Sequence, residues 1–241
     1  MAKQTIGIGT VDNDNTGDEI RTAFDKANDN FTELYGIWVD VTGAYASTTT
    51  FTFTGTDRDV NLIQGSLLTL TDSAGTTRRI GYVKSASNTT GTITATVVTD
   101  TDLVADDKDF KVAYNRKIKD YLHQISIPGE VIADASYSQG VWLQDLPVDS
   151  YLLPVDVSVL IAAVGSAAVV FNVYKNTTAL FSSAPDMTTN VVLRAQRPTT
   201  NTLSAAETIS LRITSSVGST NKASDFQAKL YIVPTLIFTA F

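Results

Sequence analysis

Two hydrophobic periods divide the chain. Between Asp18 and Tyr35 the apolar residues Ile20, Phe24, Ala27, Phe31 and Leu34 follow one another at steps of four, three, four and three. That spacing predicts a helix over 18–35 with a heptad-like seam, the other positions being taken by charges and amides such as Arg21, Lys26, Asn28 and Glu33. At about 1.5 Å per residue the helix would be a rod of roughly 25 Å. Thr16 and Glu19 have the spacing of a capping box, and Asp18 and Glu19 put negative charge where the helix dipole favours it. A lone helix of this length is marginal in water, and its two phenylalanines would each contribute roughly 1.5–3 kcal/mol if buried. The seam therefore asks for a partner. An amphipathic helix docked on its own domain has the same pattern, and two heptads are fewer than a coiled coil usually shows.

Beyond Tyr35 the period becomes two. Phe51 and Phe53 alternate with threonines, as do Leu68 and Leu70, and Ile93, Ala95 and Val97 share a face opposite Thr92, Thr94 and Thr96. These are half-buried strands. Turn signals separate them at Asp72-Ser73-Ala74-Gly75 and Asn88-Thr89-Thr90-Gly91. Residues 37–114 thus read as a small antiparallel β-domain, a compact barrel. Residues 115–126, NRKIKDYLHQIS, read as a linker or short helix. Strand patterns then recur at 141–146, 155–164, 169–175, 190–196, 207–214 and 226–238, with prolines mostly near their ends. Residues 127–241 are expected to form a β-sandwich of jelly-roll type. The fold class is mainly β, with an N-terminal extension and helix over residues 1–36.

Composition narrows the function classes. Hydrophobic residues are 43% and charged residues 18%, with a formal net charge of -7. The densest basic cluster, Arg116, Lys117 and Lys119, is short and mixed with Asp120, which argues against nucleic acid. The absence of cysteine removes disulfides, cysteine zinc sites and thiol catalysis. No signal-peptide core and no apolar run of membrane-spanning length is seen, so cytoplasmic synthesis without a membrane anchor is expected.

Candidate chemistry is thin. The stretch VDNDNTGDEI, residues 11–20, opens like a calcium loop, with Asp12, Asp14 and Thr16 alternating before Gly17. The position that requires a bidentate Glu is Ala23, so an EF-hand fails, although calcium held between copies of this turn stays open. Gly7 and Gly9 begin a GxGxxG pattern that Asp12 interrupts. His123 is the only histidine and has no evident catalytic partner. Asp100, Asp102, Asp106, Asp107 and Asp109 form an acidic run that fits a solvated loop better than a glycosidase pair. Trp38, Trp142, Tyr137, Tyr151 and Tyr174 offer faces for sugars, but core or interface roles are commoner. No enzyme, cofactor or resident metal is expected.

Residues 6–35, IGIGTVDNDNTGDEIRTAFDKANDNFTELY, resemble an N-terminal segment of tailed-bacteriophage virion proteins: tail fibres, head fibres, and neck or baseplate appendages. The shared pattern covers Gly9, Thr16, Gly17, Asp18, Arg21, Phe24, Lys26, Asn28, Asn30, Phe31, Leu34 and Tyr35. The β-rich middle also looks like modules strung along phage fibres, and GVWLQDLPVDSYLLPVDVSV with VVFNVYKNTTALFSSAPDMTTN looks like a terminal fibre sandwich. The resemblance implies a homotrimer assembled in the bacterial cytoplasm and carried on the virion. Its trimerisation and attachment residues would be Ile20, Phe24, Ala27, Phe31, Leu34 and Tyr35, with Gly9, Thr16, Gly17, Asp18 and Arg21. Residues 1–35 would dock on capsid, portal, neck or tail proteins, and the sandwich would face outward toward a host surface glycan. The alternatives are a calcium- or carbohydrate-binding adhesin module and a capsid decoration protein.

Overall fold

The computed structural model describes residues 6, 19, 22–24, 26–27, 38–130, 137–143, 146, 148–158, 169–185, 192–215 and 224–239. The protein is mainly β, built from curled antiparallel sheets and few helices.

The first β-unit is one curled seven-stranded sheet in the order β1-β7-β4-β5-β6-β3-β2. Its strands are β1 (Val39–Val41), β2 (Gly43–Ser47), β3 (Thr50–Thr54), β4 (Ser66–Asp72), β5 (Arg78–Thr89), β6 (Thr92–Thr99) and β7 (Asp107–Lys117). Only Thr42 separates β1 from β2, yet β1 pairs with β7 and β2 with β3. The two edges of the sheet are thereby brought toward one another as in a small barrel. The alternating residues fill its inside: Phe51, Phe53, Leu68, Leu70, Ile93, Ala95, Val97, Phe110 and Val112 are all buried in one core. Phe51 stacks on Phe110 with ring centroids 4.6 Å apart. A short helix, Asp57–Ile63, inserts Ile63 into this core. The Asp59 carboxylate accepts a 2.7 Å hydrogen bond from the Thr56 amide, satisfying a donor that the first turn leaves open.

Turn chemistry fixes the hairpins. β5 and β6 are joined by Thr90 and Gly91, both in the left-handed region, which matches the right-handed strand twist. Between β4 and β5 the Asp72 carboxylate accepts hydrogen bonds from the Thr76 amide and hydroxyl and from the Thr77 amide. Desolvation pushes this carboxyl up, but those hydrogen bonds prevail and hold it well below the usual range.

Residues 115–126, expected as a linker or short helix, hold the end of β7, a 3₁₀ turn at Ile118–Tyr121 and the start of β8 (Leu122–Glu130). The polarity of NRKIKDYLHQIS comes from a strand end and a turn. The Lys117 ammonium donates to the carbonyls of Leu62 and Gln64 and to the Ser66 hydroxyl, fixing the turn to the first unit.

The second β-unit continues with β9 (Tyr137–Leu143), β10 (Ser150–Ser158), β11 (Val169–Lys175), β12 (Thr178–Ala179), β13 (Val192–Gln196), β14 (Thr202–Leu203), β15 (Ile209–Ser215) and β16 (Ser224–Pro234). One sheet runs β13-β10-β16-β8, with β14 added beside β10, and the other runs β12-β11-β15-β9. Most successive strands cross between the sheets, the β11–β12 hairpin staying within one, and the order within each is that of a jelly roll. Its core holds Leu152, Val155, Phe171, Val173, Leu211, Ile213, Phe226 and Leu230. The stretch PTLIF, read as strand from sequence, leaves the sheet at Pro234, and Thr235–Thr239 form a short helix.

A third core joins the two units. Leu67, Ile80, Tyr82, Val98 and Ala113 on the outside of the first sheet meet Leu153, Tyr231, Val233 and Phe238 of the second unit. β4 is therefore buried on both faces along Ser66–Leu70. Among the described residues no helix is long and apolar enough to cross a membrane.

Candidate functional site

The sequence-predicted attachment residues fall almost wholly outside the described residues: Ile20, Phe31, Leu34, Tyr35, Gly9, Thr16, Gly17, Asp18 and Arg21 all do, as does the oxygen-rich turn at 11–18. Two seam residues are described. Residues 22–24 and 26–27 are helical, and the Ala23 amide donates to the Glu19 carbonyl at 2.9 Å, one α-helical turn back. Phe24 stands 66% exposed and Ala27 is half-buried. An exposed phenylalanine contrasts with Phe51, Phe53, Phe110, Phe171, Phe181, Phe226 and Phe238, all of which are buried.

Several of the other sequence candidates have structural partners. Asp107 is buried and forms a 2.5 Å ion pair with Arg79, whose Nε donates to the Asp102 carbonyl. Asp102 pairs through its side chain with Arg197 at 2.6 Å, and Arg197 Nε donates to the Thr99 carbonyl, so the acidic loop ties the two units together. The Asp100 carboxylate accepts from the Ile80 and Thr101 amides and from Asn201. Burial pushes its pKa up. Trp38 donates from its indole to the Ile237 carbonyl at 2.8 Å and packs on Phe238, which Tyr151 meets edge-on. Tyr174 faces the Arg212 guanidinium, 4.0 Å from the ring centroid. Tyr137 and Trp142 lie on β9. His123 is half-buried on β8 opposite Leu230, and burial lowers its pKa. Among the described residues no group of three metal-ligating side chains converges.

The structure brings together a different set. Where the outer face of the β13-β10-β16 sheet parts from the first unit, a cleft opens in two compartments of about 160 and 240 Å³, with Asp156 and Arg194 lining both. Asp156 projects from β10, where alternation sends Val155 and Val157 into the jelly-roll core. Its Oδ1 accepts a 2.8 Å hydrogen bond from the Ala195 amide, while Oδ2 lies 3.7 Å from Arg194. Ala195 is left-handed at φ 51°, a conformation costing on the order of 1–3 kcal/mol for a residue with a Cβ. The bulge between Val155 and Val157 in the β10–β13 pairing accompanies it.

Tyr82 from the first unit and Tyr231 from the second close the inner compartment, their rings 5.6 Å apart. They are 7% and 8% exposed. Burial pushes both phenols up, and the Asp156 charge adds to it. Lys84 and Lys229 stand exposed at the rim. Residues 82, 156, 194 and 231 share no sequence spacing, and each sits in an ordinary strand pattern, so sequence reading passed over them. The one signal was Arg194 within the otherwise apolar-polar run NVVLRAQ.

No protein-family model, curated protein or solved structure matches this chain.

Proposed function

We propose that the protein is a structural component of a tailed-phage virion: a homotrimeric fibre or spike that uses its N-terminal segment for assembly and attachment and presents its β-units outward. The observation that carries this reading is the exposed Phe24 on the N-terminal helix. Among the described residues the phenylalanines of the β-units are all buried, and an exposed aromatic side chain on a helix calls for another copy or another protein to cover it. The seam spacing and the resemblance of residues 6–35 to virion proteins make that partner a trimer and a particle. A jelly roll is a frequent architecture of viral surface domains, which adds support by analogy of fold. Closed threefold symmetry would also limit the assembly and cover sheet edges.

The test is immunogold electron microscopy of the phage that encodes the chain, using antibody raised against the jelly roll. Label at fixed positions on intact particles supports the reading. Unlabelled particles in a lysate that contains the free chain would overturn it.

A further inference from the structure

We propose that the cleft between the two β-units binds a carboxylated saccharide, held by Arg194, Asp156 and the hydroxyls of Tyr82 and Tyr231. The proposal is independent of attachment to a particle.

Three observations lead to it. First, Tyr82 and Tyr231 line the cavity with most of each side chain buried, and their hydroxyls are not among the buried polar atoms shut off from solvent, so a ligand in the cavity can reach them. A phenol hydroxyl both donates and accepts, as a sugar hydroxyl does. Second, the Asp156 carboxylate has one oxygen fixed by the Ala195 amide and the other facing Arg194 at a distance too long for a strong pair. That second oxygen retains room to accept from a ligand hydroxyl. Third, the charge of the cleft runs against that of the chain. The protein carries -7 overall, whereas Arg194, Lys84 and Lys229 outnumber Asp156 around the two compartments.

The ligand must therefore supply one modest negative charge, several hydroxyls and some apolar surface for Val83, Val98 and Ile118. A neutral hexose lacks the charge. A bare carboxylate lacks the hydroxyls. A phosphate carries more negative charge than one carboxylate and would meet Asp156 at close range. A hexuronic or sialic-type acid has the required set, and Arg194 offers its carboxylate a planar fork of donors. The cleft is small for a ligand site, which suits one or two sugar rings. Strain at Ala195 is in keeping with a binding role, since it sets the Asp156 carboxylate through a backbone amide.

Ligand-detected NMR titration of the full chain tests this, with glucuronate and N-acetylneuraminate as probes and methyl glucoside and acetate as controls. At least one acidic sugar is expected to bind saturably and more tightly than either control. Arg194→Gln and Tyr231→Phe are each expected to weaken that binding by about tenfold or more, the ratio carried by one charge-assisted or buried hydrogen bond. Arg194 is largely exposed and the phenylalanine keeps the buried ring, so both variants should melt close to the parent. The proposal is overturned if neither acidic sugar saturates, if acetate binds as tightly as the sugars, or if the two variants bind like the parent.

Discussion

Phe238→Ala should separate the two β-units. Phe238 is fully buried although it stands close to the end of the chain. Its ring packs on Trp38 at 5.7 Å and on Tyr151 at 5.8 Å, and the Arg78 guanidinium lies 6.0 Å from its centroid. It belongs to the core shared by the outer face of the first sheet and the β10–β16 face of the jelly roll. Truncation removes the transfer energy of the ring and leaves a void bordered by sheets that are each pinned by their own cores. Phenylalanine-to-alanine changes at such sites cost about 3–5 kcal/mol. For a chain of this size each kcal/mol moves the melting midpoint by roughly 2–4 °C, so a fall of roughly 6–20 °C is expected. Differential scanning calorimetry at fixed protein concentration reads it. The parent should melt in one transition, and the variant should broaden or resolve into two as barrel and sandwich lose their shared core. Leu236→Ala, at a side chain 67% exposed on the same helix, should stay within about 0.5 kcal/mol of the parent. A variant at Phe238 that melted with the parent would refute the view that this helix seals the seam.

Three further outcomes follow from the geometry. Asp107→Ala strands the Arg79 guanidinium in a buried setting and should cost about 3–5 kcal/mol in denaturant unfolding, far more than loss of the partly exposed Asp102 carboxylate. Gly81→Ala would place a Cβ 2.0 Å from the Val98 carbonyl oxygen and 2.8 Å from Thr99 Cα, so β5 and β6 must part, and soluble yield and melting midpoint should both fall. His123 has its pKa lowered by burial, so the unfolded chain binds its proton first; stability should decline as pH drops below about 6.5, and His123→Gln should remove that part of the pH dependence in thermal melts.

The strand content of this protein was legible because half of each strand alternates. Thr50, Thr52 and Thr54 flank Phe51 and Phe53, and Ile93, Ala95 and Val97 face one core as their spacing required. VVFNVYK was placed to the residue as β11. Other elements escaped for physical reasons. β5, RRIGYVKSASNT, has polar residues at both ends and a bulge between Val83 and Ser85, so no clean period survives. The Asp57–Ile63 helix is too short for a helical period to register, although Thr56 and Asp59 mark its start. The joining core could not be read because residues such as Leu67 and Tyr82 acquire their partners only when Leu153 and Tyr231 arrive from the other unit. The cleft was hidden for the same reason: the topology assembles it from four distant strands, and nothing local marks its residues. Of the expected N-terminal seam only Phe24 and Ala27 lie within the described residues, with Phe24 exposed.

The most direct measurement is the solution mass of the full chain by light scattering, beside Phe24→Asp and a chain starting at residue 37. A full-length mass three times 25.9 kDa, reduced to one or two chains by either change, is the expected result and locates assembly in the N-terminal seam. A full chain that stays monomeric at micromolar concentration, or a trimer indifferent to both changes, would contradict the claim that this helix assembles the protein.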